Sequence, residues 1–253
     1  MATTTSKRPR KRHVQQVLFR WGGKRQGAGR KPIAGRAGAP HTRRPTLKQR
    51  HPVHIVIRVV PAIGSLRKRF MYKALREASI TAAAREDFRI VHLSIQRTHV
   101  HLLVEARHKA ALSSGMQGFQ ISAAKHLNTA VSTTWSERRR GRVFADRYYA
   151  EIIETPRQAR HALSYVLNNW RKHREDQAGF ARAWKIDPFS SAISFPDWKE
   201  LEGRARWRKR DTYDPLVVCP PHTWLLREGW KLHGLLSVAE VPSRRRERDA
   251  RRL

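Results

Sequence analysis

The sequence contains little cysteine and little acid. It has one cysteine, Cys219, and 20 Asp or Glu against 53 Lys or Arg in 253 residues. One cysteine cannot form an intrachain disulfide or a cysteine-based zinc cluster. No apolar run approaches the length of a membrane span, and the N-terminus lacks the apolar stretch of a secretory signal peptide. These absences predict a cytoplasmic protein that does not enter a membrane.

The excess of positive charge, formally +33, predicts a polyanionic partner, most often nucleic acid. The charge indicates the kind of partner but not an activity, because a ribosomal or histone-like protein would have a similar charge. Residues 1–50 carry fifteen Lys or Arg and no acid. Such a segment cannot bury a core, so we expect a largely disordered basic arm that binds phosphates. A narrower alternative places Arg30 and Lys31 in a DNA minor groove.

The pattern of apolar residues predicts an α+β fold. Runs of β-branched and alternating residues indicate strands at 52–60, 88–95, 98–106 and 142–154. Helical spacing of Leu and Ala indicates helices at 65–87, with Ser65 as N-cap, and at 110–132, where Gly115 and Gly118 weaken the first turns. The order β-α-β-β-α-β is that of a ferredoxin-like sheet.

A third helix is predicted at 155–176, after the sheet. Thr155 is placed as its N-cap, Pro156 at its first position, and Gln158 completes a capping box. Two rows run along this helix. The apolar row, which we expect to dock on the sheet, is Ala159, Leu163, Val166 and Trp170, and the polar row beside it is His161, Tyr165 and Asn169.

Two histidines stand one residue apart in "THVHLLVEA". In an extended strand, His99 and His101 point to one face and the intervening aliphatic residues to the other. They are either half-exposed residues of a solvated sheet face or a pair of metal ligands. A divalent ion held by both would stabilise charge on a scissile phosphodiester, with Asn169 as third ligand. Imidazole and oxygen ligands together suit Mg²⁺ or Mn²⁺ as the working ion. Imidazole ligands alone would bind Zn²⁺ more tightly.

These segments resemble one family. "THVHLLVEA" is similar to the His-hydrophobic-His motif of the HUH endonucleases, and "RHALSYVLNNWRKH" to the tyrosine helix of single-tyrosine transposases. "WGGKRQGAGRKP", "HPVHIVIRV", "GRVFADRYY" and "DPFSSAISF" resemble its REP-associated, insertion-sequence-like branch. The resemblance implies a metal-dependent nick in single-stranded or hairpin DNA, a 5′-phosphotyrosine on Tyr165, a free 3′-OH and strand transfer. Relatives work as monomers or homodimers.

On this basis we divide the chain into a basic arm at 1–50, a catalytic domain at 51–176, a packed extension at 177–242 and a basic tail at 243–253. Two departures from the family are Thr98, where many relatives have Asn or Glu, and Tyr149, where they often have His. We expect DNA contacts from basic residues of the arm, of the segment before the fourth strand and of the third helix. These candidates are Arg30, Lys31, Arg138, Arg139, Arg140, Arg147 and Lys172.

Several residues are candidates for a supporting role. Glu105 shares the strand face of the histidine pair and could support the metal ligands, although the pattern favours an ion pair with an arginine over that role. Tyr148 and Tyr149 are rival nucleophiles, but alternation sends them to opposite faces, which leaves Tyr149 as the one near the site. His161 lies one turn before Tyr165. His54 and His92 lie on predicted strands and are interpreted as structural or DNA-facing.

Two other classes of protein share parts of this pattern. "HVHLLVE" fits a cupin metal motif, but cupins are all-β and three helices are predicted here. A catalytically silent protein that binds hairpin DNA or RNA would have the same charge. An RNA-binding sheet of the RRM type would carry stacking aromatics on its central strands, and "PVHIVIRVV" and "THVHLLVEA" have none. The sequence therefore favours the enzyme.

Overall fold

The structure is a computed structural model, and it describes residues 46–83, 85–135, 139–179, 183–201, 207 and 211–242. These residues belong to one compact unit of the chain, 39–253. Most of the predicted arm and the whole of the predicted tail lie outside the described residues. Leu47, which the sequence placed in the arm, is buried in the core. None of the helices described is long and apolar enough to cross a membrane.

A four-stranded sheet is the centre of the fold. Its strands are β1 (Val53–Arg58), β2 (Phe88–Ile95), β3 (His99–Ala106) and β4 (Tyr149–Ile152). They are ordered β2-β3-β1-β4, and every neighbouring pair is antiparallel. The helices are α1 (Arg69–Ala83), α2 (Lys109–Trp135), α3 (Pro156–Lys172) and the short α4 (Trp224–Arg227). The predicted α+β class and the order β-α-β-β-α-β followed by a helix are thus observed.

The two faces of the sheet are covered by different helices. Ile55, Leu102 and other residues of alternating strand positions pack with α1 and α2 in one core. Leu103 and Val91 point to the other face and pack with α3 in a second core. A β-bulge between Ile90 and His92 shifts the register of β2, so that both Val91 and His92 lie on the α3 face, with His92 opposite Leu103. Alternation and this bulge together decide which residues of β2 meet α3.

The helix α2 runs through both of its glycines. A Cβ on Gly115 would stand 2.2 Å from Cγ of the Phe88 ring. Glycine at this position therefore lets the helix approach the first residue of β2 closely. The predicted helix is therefore present through its first turns, and Gly115 serves its packing against β2.

The start of α3 is as predicted. Thr155 Oγ1 accepts a hydrogen bond from the Gln158 amide at 3.2 Å, and Gln158 Oε1 accepts one from the Thr155 amide at 3.2 Å. The predicted apolar row is fully buried against the sheet and the extension. The helix ends at Lys172 rather than at 176, because Arg174 adopts a left-handed conformation with φ of 56°. A 3-10 turn, Glu175–Gln177, follows it.

Two other predicted boundaries were too wide. The first helix begins at Arg69 and ends at Ala83; Ser65 Oγ accepts from the Arg67 amide in a local turn at 3.3 Å instead of capping it. The fourth strand was expected at 142–154, but only Tyr149–Ile152 is a strand, preceded by a single bridge between Val59 and Phe144. Asp146 Oδ1 accepts from the Arg147 amide at 2.7 Å, and this local bond favours a loop over a strand.

Described segments of the extension, around Phe189 and Cys219, cover the outer edge of β2. The Ile95 amide donates to the Phe189 carbonyl at 2.8 Å, and the Cys219 amide donates to the Ile90 carbonyl at 2.8 Å. The buried Arg67 guanidinium binds both oxygens of the buried Asp187 carboxylate, at 2.8 and 3.0 Å. The unpaired backbone groups of an edge strand are thus satisfied within the chain.

Candidate active site

The histidine pair lies at the beginning of β3, on the face that α3 covers. His101 stands opposite Val56 of β1 and His99 opposite Arg58. The two imidazole rings are 4.7 Å apart between centroids and nearly perpendicular. Burial lowers the pKa of His99 to about 4, with the positive charge of Arg58 acting in the same direction. Burial also holds the pKa of His101 well below its usual value. Both rings are therefore neutral at neutral pH, which is the form that binds metal ions.

Tyr165 of α3 lies over this pair. Its ring centroid is 5.1 Å from that of His101, in an edge-to-face arrangement, and the Nζ of Lys172 is 4.5 Å from the Tyr165 centroid. The side chain is half-buried. Burial raises the pKa of the Tyr165 hydroxyl, and the charge of Arg58 opposes this shift in part. The hydroxyl is thus protonated at neutral pH, so its attack on phosphorus requires that the proton leaves.

Three buried polar atoms near this face lack a partner. Asn169, one turn after Tyr165, is fully buried, and neither the oxygen nor the nitrogen of its amide has a hydrogen-bond partner within the described residues. Nε2 of His101 also has no hydrogen-bond partner there. Buried polar groups are nearly always satisfied. A cation would accept the lone pairs of His101 Nε2 and Asn169 Oδ1, so these residues fit the metal that the sequence implies. Among the described segments, no three His, Cys, Asp or Glu side chains converge on a metal position.

A third histidine, which was not predicted for the site, contacts the pair. His54 of β1 places Nε2 3.1 Å from Nδ1 of His101, and the two rings stack with centroids 5.3 Å apart. The His54 ring also meets the edge of Tyr165, at 5.8 Å between centroids. Burial lowers the pKa of His54 to about 4. The sequence signal was the alternation of His54, Val56 and Arg58 on one strand face, but only the register of β1 against β3 brings His54 to His101.

Two further positions beside the histidine pair were also missed. Arg58 ends β1 on the same face, and its charge acts on both His99 and Tyr165. His173, directly after α3, lies with its ring centroid 6.0 Å from that of His99. Both come to the site because the end of β1, the start of β3 and the end of α3 meet at one point of the sheet.

The structure brings only some of the supporting candidates to the site. Tyr149 is on the site face, opposite Val56, and is 60% exposed, whereas Tyr148 is buried on the other side. Two strand spacings, about 10 Å, separate Tyr149 from β3. His161 is exposed on the outer part of α3.

Glu105 makes a different contact from those expected of a metal support. It is buried on the site face, and its carboxylate accepts hydrogen bonds from the amides of His222 and Thr223 at 2.8 Å and from Thr223 Oγ1 at 2.7 Å. The nearest arginine nitrogen, Nε of Arg89, is 3.9 Å away. Glu105 thus holds the segment that leads into α4.

The described part of the loop between α2 and β4 carries three of the predicted DNA-binding arginines. Its backbone joins the end of β1, where the Val60 amide donates to the Val143 carbonyl at 2.8 Å and the Ala145 amide to the Arg58 carbonyl at 2.9 Å. Arg140 and Arg147 are exposed there, and Arg139 is bonded to Asn128 and to the Arg142 carbonyl. The loop therefore lies beside Arg58. Arg30, Lys31 and Arg138 lie outside the described residues.

Comparison with known proteins identifies one family model, which covers the sheet and its first three helices. Residues 48–169 match the family model described as "Transposase IS200 like". This stretch, just under half of the chain, belongs to the IS200-like transposase family. The match includes all four strands, α1, α2 and α3 as far as Asn169, so the histidine pair and Tyr165 lie within it. No curated protein sequence matches the chain.

Three solved structures that are similar to this chain are distant in sequence. A REP-associated tyrosine transposase bound to a REP hairpin is 17% identical, with a TM-score of 0.47, and the match covers 72% of this chain and 100% of that one. A transposase-like protein from Deinococcus radiodurans is 14% identical, with a TM-score of 0.34 and coverage of 56% and 98%. A bacterial tRNA(His) guanylyltransferase-like protein in complex with GTP is 12% identical, with a TM-score of 0.36 and coverage of 57% and 70%.

Proposed function

We propose that this protein nicks single-stranded or hairpin DNA in a metal-dependent reaction and transfers the strand through a 5′-phosphotyrosine on Tyr165. The observation that carries the proposal is the packing of the Tyr165 ring against His101, a buried neutral histidine whose Nε2 has no partner among the described residues. A nucleophile and a candidate metal ligand thus face the same small volume. We further assign the sheet to the ferredoxin-like arrangement, with α3 added as the catalytic helix.

In the proposed reaction, the Tyr165 hydroxyl oxygen attacks phosphorus and the bond to the 3′ oxygen breaks. The tyrosine loses its proton, the leaving oxygen gains one as a 3′-OH, and the phosphate remains on Tyr165 as a diester. Mg²⁺ or Mn²⁺, held by His99, His101 and Asn169, would stabilise charge on the phosphate oxygens. Arg58 places a positive charge near Tyr165 and His99, which favours the phenolate and the phosphate alike. Strand transfer is the reverse attack by a 3′-OH.

The DNA would approach along the end of β1. The exposed Arg140 and Arg147 of the adjoining loop, together with Lys172 beside Tyr165, provide positive charge on both sides of the histidine pair. Such charges position a phosphate backbone without reading its sequence. The alternative, a catalytically silent protein that binds hairpin DNA or RNA, uses the same charges but needs no nucleophile.

The test is an adduct assay. Single-stranded hairpin DNA labelled at its 3′ end is incubated with the full chain and Mn²⁺, and the protein is separated under denaturing conditions. We expect labelled protein with the wild type and none with Tyr165→Phe, because no neighbouring group can form the same diester. DNA binding should persist in Tyr165→Phe, since the ring still packs. His99→Ala should also stop nicking, with weakened metal dependence.

Tyr149→Phe is the matched control, because this rival tyrosine lies on the same face but about two strand spacings from β3. It should form the adduct as the wild type does. An adduct with Tyr165→Phe but none with Tyr149→Phe would move the chemistry to β4. Tight hairpin binding by the wild type without any adduct would favour the silent protein.

A further inference from the structure

We infer that His54 is a positioning residue that holds His101 in one tautomer, with a proton on Nδ1 and a lone pair on Nε2. The inference rests on the proposed function, because the lone pair on Nε2 is what a divalent cation would bind. It extends that function by assigning a role to a residue outside the His99, His101 and Asn169 set. His54 touches neither DNA nor metal in this role and acts through His101.

The geometry joins the two rings by a single hydrogen bond. His54 Nε2 and His101 Nδ1 are 3.1 Å apart, the rings are tilted by only 21°, and their centroids are 5.3 Å apart. His101 is buried and His54 is partly buried, so water does not compete freely for this contact. The strands fix the distance, because Val56, two residues after His54, lies opposite His101 in the ladder.

The hydrogen bond between His54 Nε2 and His101 Nδ1 requires one proton, which is carried by one of these two nitrogens. If His54 donated it, a neutral His101 would carry its own proton on Nε2, where no described residue accepts it. If His101 donates from Nδ1, its Nε2 keeps a lone pair instead. A buried donor without an acceptor is rarer in proteins than a buried acceptor without a donor. Only the second arrangement also leaves an atom that a cation can bind.

The usual partner of a metal-binding histidine is a carboxylate or a backbone carbonyl. Glu105 is the carboxylate of β3 on this face, but it is bonded to His222 and Thr223. His54 supplies the contact to His101 with a neutral ring. A neutral partner orients the ligand without adding negative charge, so the full charge of a bound cation would act on the phosphate.

The experiment measures the tautomer directly. Long-range ¹H–¹⁵N correlation of histidine rings is recorded on the full-length, metal-free protein at neutral pH, with the His101 signals assigned by their loss in His101→Gln. We expect protonated Nδ1 and unprotonated Nε2. His54→Phe keeps a ring but removes the acceptor, and it should give a mixture of tautomers. His54→Gln places an acceptor oxygen near the former Nε2 and should restore the single tautomer.

Mn²⁺ affinity is measured on the same proteins from the spin resonance signal of the free ion. His54→Phe should weaken binding about tenfold, the lower end of the effect of removing such a partner, and His54→Gln should bring it back toward the wild-type value. His126→Phe, on an exposed part of α2, should change neither readout. A wild-type His101 with its proton on Nε2 would overturn the inference. So would a wild-type tautomer and affinity in His54→Phe.

The two proposals fail in different ways. If the wild type showed protonated Nδ1 that His54→Phe lost, but bound no Mn²⁺, the positioning role of His54 would stand and the metal-dependent reaction would be contradicted. If it bound Mn²⁺ with the other tautomer, the reaction would stand and the role of His54 would be wrong.

Discussion

At the scale of single residues, the site face carries several histidines that are neutral at neutral pH. His54, His92, His99, His101 and His173 all have a pKa lowered by burial. Burial disfavours the charged ring because it loses contact with water. The same face carries Arg58 and Lys172, whose charges act against protonation of the neighbouring rings. The arrangement keeps imidazole lone pairs available at neutral pH.

These shifts make stability depend on pH. A histidine with a lowered pKa in the folded state binds fewer protons there than in the unfolded chain, so stability is full above the unfolded pKa of 6.5 and is lost as pH falls toward the folded pKa. For His92, whose pKa is lowered to about 3 by burial, the loss should be about 1.4 kcal/mol per pH unit below pH 6.

His92→Asn should therefore reduce the loss of stability between pH 7 and pH 5. Asparagine can place an amide atom near Nδ1 of the original ring, which lies 3.1 Å from Ser191 Oγ. Urea unfolding of both proteins at the two pH values gives the difference directly, and the packing cost of the substitution cancels between them. An equal drop in the two proteins would mean that His92 is protonated in the folded state.

At the scale of elements, α3 determines the geometry of the site, because it carries Tyr165 and Asn169 on one row and its buried apolar stripe on the next. Its other contacts are made by the extension. Arg160 binds both oxygens of Glu240, at 2.9 and 3.0 Å, and Asn168 Nδ2 donates to the Ser237 carbonyl at 2.9 Å. The helix is thus held between the sheet and the last described segment.

The N-cap of α3 should contribute measurably to stability. Thr155→Ala removes the acceptor of the Gln158 amide, and loss of such a cap costs about 1 kcal/mol. Thr155→Ser keeps the hydroxyl and serves as the matched control. The free energies of unfolding of the three proteins are measured with urea; equal values for Thr155→Ala and wild type would show that the cap is replaced by solvent.

At the scale of the whole molecule, the first 45 residues differ in charge from the rest of the chain. Residues 1–45 carry thirteen Lys or Arg and no acid, whereas all 20 Asp and Glu lie after residue 45, together with the two cores and the buried Arg67–Asp187 ion pair. Leu47 belongs to the first of these cores. A truncation that tests the arm should therefore end at residue 45 and leave Leu47 in place.

Deletion of residues 1–45 should flatten the salt dependence of DNA binding. For single strands, the slope of log affinity against log salt is about −0.7 per phosphate neutralised. Adduct formation with a tightly bound hairpin should persist, because the histidine pair and Tyr165 lie outside the deleted part. A full-length chain with the thirteen basic residues changed to Gln is the control for length. A slope unchanged from wild type would show that this segment does not contact DNA.

Short-range sequence patterns determined several local features of the fold and of the candidate site. The capping box at Thr155, the exact span of β2, the shared face of His99 and His101 and the apolar row of α3 each follow from residues within a few positions of one another. Such features depend on local backbone conformation and on the period of a helix or strand. Neighbouring residues in the sequence are enough to predict them. The family resemblance was also carried by these local motifs, and the family assignment was confirmed.

The tertiary structure decided the contacts between distant segments. His54 meets His101 across 47 residues, Glu105 meets Thr223 across 118, and Arg67 meets Asp187 across 120. Strand alternation predicts the sheet face on which His54 lies, but it does not predict which residue of β3 stands beside it. A change of register by two residues would leave His54 on the same face and move its ring away from His101. The partners of Glu105 and Asp187 depend on how the extension packs against the sheet. This packing involves whole elements, so it cannot be predicted from local sequence.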